Sequence, residues 1–70
     1  MMAEFDVDAM VTRFQGRAKA VQERGIPPIE GESRRQFIKQ AETDFLDYSM
    51  VGMAEWSVER ESLILRIPLG

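Results

Sequence analysis

Residues 54–69 read Ala-Glu-Trp-Ser-Val-Glu-Arg-Glu-Ser-Leu-Ile-Leu-Arg-Ile-Pro-Leu, and it is here that the hydrophobic pattern of the chain changes period. Trp56 and Val58 fall on one side of an extended chain, with Glu55, Ser57 and Glu59 on the other. That alternation is the mark of a half-buried strand. Leu63, Leu65, Ile67 and Leu69 repeat it, separated by Ser62, Ile64, Arg66 and Pro68. Residues 54–69 therefore read as a β-hairpin turning at Glu59-Arg60-Glu61-Ser62. That turn contains no Gly, Asn or Pro, which disfavours the tight two-residue turns and predicts a longer loop.

Before the hairpin the period is helical. Val7, Met10, Val11, Phe14, Ala18 and Val21 form one stripe, as in an amphipathic helix. Asp6 or Asp8 can cap its start, and Arg24 followed by Gly25 supplies a cationic last turn and a left-handed stop, placing the helix at about 7–24. Gly16 interrupts the stripe and reads as a tolerated glycine. Residues 25–32 form a connector in which Pro27 and Pro28 remove backbone donors and hold the chain extended. A connector of this length lets the next helix return antiparallel.

Ser33 and Gln36 make a capping-box pattern, and Phe37, Ile38, Ala41, Phe45 and Tyr48 follow on one stripe, giving a second helix at about 33–52. Its second half adds Leu46, Met50, Val51 and Met53 on another face, so more than one neighbour is needed to cover it. The sequence thus predicts a small single α+β domain over residues 1–70, two antiparallel helices followed by a C-terminal β-hairpin in the order α-α-β-β. Phe14, Phe37, Phe45 and Trp56 are the expected core.

A 70-residue chain has little interior, and the favourable burial and the entropy of ordering nearly cancel. Small domains add disulfides, a metal or a partner. With no Cys and no His, a disulfide framework and the usual zinc and iron–sulfur sites are excluded, so association is the expected staple. The absence of Cys fits a reducing compartment. Residues 1–12 hold three acids and neither a basic n-region nor a continuous apolar run, which predicts no signal peptide and no membrane span and makes the cytoplasm the expected location. Twelve acids against nine bases give a net charge of −3, which disfavours nucleic acid and anionic membrane as partners.

Chemistry-bearing side chains are sparse. Asp6 and Asp8, with Glu4, lack the further spaced ligands and bend glycine of a calcium loop, so capping is the better account. Asp44 and Asp47 are neighbours on a helix, yet helical metal sites recruit His from facing helices and none exists here. Arg34, Arg35 and Lys39 on one helix, with Arg13, Arg17, Lys19 and Arg24 on the other, read as pairing with Glu30, Glu32 and Glu42 rather than as a phosphate patch. No nucleophile motif, phosphate loop or dinucleotide fingerprint is present, and no serine has a His to activate it.

The expected function is that of a non-catalytic protein-binding accessory module with no cofactor. It would be a small subunit, assembly factor or regulatory partner of a larger protein, or a homodimeric adaptor. The partner, another protein subunit or a second copy, is expected on Leu46, Met50, Met53, Ile64, Arg66 and Leu69, because Leu63–Leu69 is the most apolar run and carries a free strand edge. The competing expectation is a ligand-binding or catalytic site built between copies of a homo-oligomer from Asp44, Asp47, Tyr48 and Arg35.

Overall fold

Asp6 is extended and its carboxylate accepts a hydrogen bond from the Ala9 backbone N–H at 3.0 Å, so the first helix starts where an acidic cap lies before an apolar stripe. A computed structural model of the chain describes residues 5–70 and places four elements in order: α1 (Val7–Gln22), α2 (Gly31–Gly52), β1 (Glu55–Glu59) and β2 (Ser62–Arg66). Glu4, the first acid of the acidic start, lies outside the described residues. The α-α-β-β order is the predicted one. No described helix is long and apolar enough to cross a membrane.

Three local expectations need correction. The first concerns the end of α1, which closes at Glu23 in the right-handed region, the Glu23 N–H bonded to the Lys19 carbonyl and the Arg24 N–H to the Val21 carbonyl, not at a left-handed Gly25. The second is the start of α2. It begins at Gly31, ahead of Ser33, and Glu30 provides no side-chain cap. Gly31 enters with φ +65°, a conformation glycine adopts without a Cβ penalty, and this lets the helix begin before the capping-box pattern. The third is the hairpin turn. Glu59 pairs with Ser62, leaving a two-residue loop at Arg60 and Glu61 with φ of 52° and 65°. Both values lie in the left-handed region that primed hairpin turns require, here without the usual Asn or Gly. The twist of the flanking strands favours this turn over a longer loop and holds both residues in a disfavoured conformation.

The connector turns tightly at Pro28, where the Ile29 N–H reaches the Pro27 carbonyl at 2.7 Å, the three-residue closure that proline's fixed φ suits. It returns α2 antiparallel to α1. Arg24, just past α1, meets Asp44 at 3.5 Å, while Gln15, midway along α1, reaches Gly52 at the far end of α2. The first half of α2 therefore runs past the end of α1.

The interior is made of small side chains. Val7, Ala18 and Val21 on α1 are buried, as is Gly52 on α2. At the crossing, a Cβ on Gly52 would lie 2.9 Å from Gln15 Cγ and 3.3 Å from the Gln15 backbone. A side chain there would force Gln15 of α1 to shift. Gly16, by contrast, has nothing within 4 Å and is simply tolerated. The Gln15 amide donates to the Gly52 carbonyl at 2.7 Å, satisfying one of the carbonyls that a helix end leaves without an intrahelical partner.

The expected aromatic core is only partly formed. Phe14, Phe37 and Phe45 are half-buried, and Trp56 is exposed. Phe14 packs edge-on against Tyr48 at 5.9 Å and carries the Arg17 guanidinium over its ring at 5.2 Å, favourable arrangements for an aromatic that keeps one side in water. Two layers on one short chain do not enclose rings of this size.

Candidate functional site

Strand pairing fixes which hairpin side chains share a face. Trp56 lies opposite Leu65 and Val58 opposite Leu63, so these four form one apolar face. Glu55, Ser57, Glu59, Ser62, Ile64 and Arg66 form the other. The polar face satisfies itself: Arg66 reaches Glu59 at 3.9 Å and Ser57 at 3.5 Å, and the Ser57 hydroxyl donates to Glu59 at 3.2 Å.

The apolar face is poorly covered. Val58 is 59% exposed, and Trp56 and Leu63 are exposed too. Exposure increases toward the turn, because the hairpin projects from the helices and touches them only slightly. Its specific attachment is a hydrogen bond from the Trp56 indole N–H to the Asp8 carboxylate at 3.2 Å, at the first turn of α1. Leu65, opposite Trp56, is half-buried. The face thus starts beside α1 and runs out into solvent.

A second apolar strip lies on α2. Leu46, Met50 and Met53 recur at helical spacing; Leu46 is 57% exposed, Met53 is exposed and Met50 is half-buried. Of the other residues expected at an interface, Leu69 is 87% exposed, Ile64 is half-buried, and Arg66 is exposed but engaged with Glu59. Val58, Leu63 and Trp56 were missing from the expected surface. The signal was their alternation with Leu65; what hid them was the assumption that the helices cover the richer face of the hairpin.

The polar candidates do not converge. Asp44 accepts from Gln40 at 2.8 Å and pairs with Arg24. Arg35 is bound to Glu32 at 2.7 Å. Tyr48 packs on Phe14. Arg35 and Asp44 are nine residues apart on α2, about 13 Å along its axis, too far to share a site within one chain. Three shallow grooves lined by described residues lie at the connector, beside β2 and between the helices, and none of them includes Asp44, Asp47, Tyr48 or Arg35. Among the described residues no cluster of His, Cys, Asp and Glu could hold a metal ion.

Compared with known proteins, the chain matches no family model, no curated protein and no solved structure.

Proposed function

We propose that the chain is a non-catalytic protein-binding module that works in the cytoplasm by setting its apolar hairpin face, and the Leu46–Met53 strip of α2, against another protein surface. The observation that carries this reading is the surface the fold leaves in water. The chain exposes 5711 Å², against about 4,500 Å² for a folded monomer of this mass. Its radius of gyration is 15.7 Å, where about 11 Å is usual for this length. Such an excess, together with the exposed Trp56, Val58, Leu63, Leu46 and Met53, supports a contact surface.

The test is association measured by sedimentation equilibrium, alone and with the proteins encoded beside it, for the wild type and for Val58→Lys/Leu46→Lys. Both positions are more than half exposed, so the charges leave the buried residues undisturbed. Wild-type association that weakens about tenfold or more in the variant, with unchanged helical circular dichroism, supports the reading. A wild-type chain that associates with nothing and melts as a concentration-independent monomer overturns it.

A further inference from the structure

Resting on that reading, we propose that the occupant of the hairpin surface is a second copy of this chain, joined edge to edge through β2 about a two-fold axis at Ile64 to make a four-stranded antiparallel sheet.

The inference starts from the hydrogen-bonding pattern. Glu59 and Ser62 flank the two-residue turn and form its closing hydrogen-bonded pair, so in an antiparallel ladder Ser57–Ile64 and Glu55–Arg66 are hydrogen-bonded too. The main-chain groups of Leu63 and Leu65 therefore point away from β1 to an edge that no described strand pairs. An unpaired apolar edge of this kind is a template for another strand. About a two-fold at Ile64, Leu63 of each copy bonds Leu65 of the other, forming about four main-chain hydrogen bonds.

Charge selects this edge over the other. The equivalent two-fold on β1, at Ser57, would set Glu55 of one copy directly opposite Glu59 of its partner, twice over, and facing like charges destabilise a sheet. On β2 the same operation sets Ser62 opposite Arg66, with no like charges facing. Shape agrees. A two-fold perpendicular to the sheet keeps both apolar faces on one side and lays each exposed tip, Val58 and Leu63, beside the base of the other hairpin, where Trp56 meets α1.

The chain has no cysteine, so single introduced cysteines report the geometry directly. Ile64 would face its symmetry mate in a non-hydrogen-bonded pair, with Cα atoms about 4.5 Å apart, close enough for a disulfide after slight adjustment. Oxidised Ile64→Cys should run mainly as a covalent dimer on a non-reducing gel, whereas Leu63→Cys and Ser57→Cys should remain monomeric. Should Ile64→Cys fail to fold, mixing Ser62→Cys with Arg66→Cys, both at exposed positions, should give the mixed disulfide in preference to either homodimer. A wild-type chain monomeric at about 100 μM overturns the homodimer, and so do cross-linking at Ser57 and the absence of the cross-links named. If the monomer still binds a protein encoded beside it through Val58, the broader reading survives and only the identity of the occupant is wrong.

Discussion

The helical pair and the hairpin solve the same problem to different degrees. Every buried residue among those described lies on α1 or α2, and their crossing is fitted closely enough that a methyl group on Gly52 would push Gln15 aside. The hairpin buries no residue fully and is fastened to the helices by the Trp56–Asp8 hydrogen bond and slight packing. A periodic apolar pattern states that a face should be covered and is silent on whether the same chain can cover it. In 70 residues the helices use the cover available, and the hairpin tip is left for something else.

The contrast is broken most directly at the crossing. Gly52→Val should destabilise the helical pair by about 3 kcal/mol, the upper range for overpacking, lowering the midpoint of the helical circular dichroism melt by roughly 12 °C or more. A melt within a few degrees of wild type would mean that the crossing can open without loss. The opposite sign is expected at the turn. Replacing Arg60-Glu61 by Asn-Gly should stabilise the hairpin by about 1–2 kcal/mol, because both positions have positive φ. Hydrogen exchange should slow at the strand amides and not at those of α1; equal slowing in α1 would make helices and hairpin one cooperative unit. The smallest effect belongs to the joint. Trp56→Phe keeps an aromatic ring and loses the N–H to Asp8, costing about 0.5–1 kcal/mol for a bond in partial contact with water. It should loosen the strand amides and leave the helical melt in place.

Where periodicity was strong, the sequence was legible: the α1 stripe contains Val7, Ala18 and Val21, the residues that end up buried, and the alternation in 55–66 is the observed ladder. Single-residue backbone states were not. Arg60 and Glu61 carry no sign of positive φ, because the flanking strands impose it, and Gly31 displaces the helix start that Ser33 and Gln36 suggest. At the site, exposed Leu46 and Met53 could be read from the second apolar face of α2. The alternation placed Val58 and Leu63 on one face but not in water, since their exposure depends on how far the hairpin projects, a property of the whole chain.

The Gln15–Gly52 contact also acts as a positional stop. Small side chains along a helix interface offer neighbouring seats one turn, about 5.4 Å, apart, and apolar contacts between them discriminate weakly. A side-chain amide bonded to one particular carbonyl and seated over one particular glycine selects a single seat. Because β1 begins at Glu55, just beyond that glycine, the same selection sets where the hairpin leaves the helices, and therefore whether the Trp56 indole arrives at Asp8 or a full turn away from it.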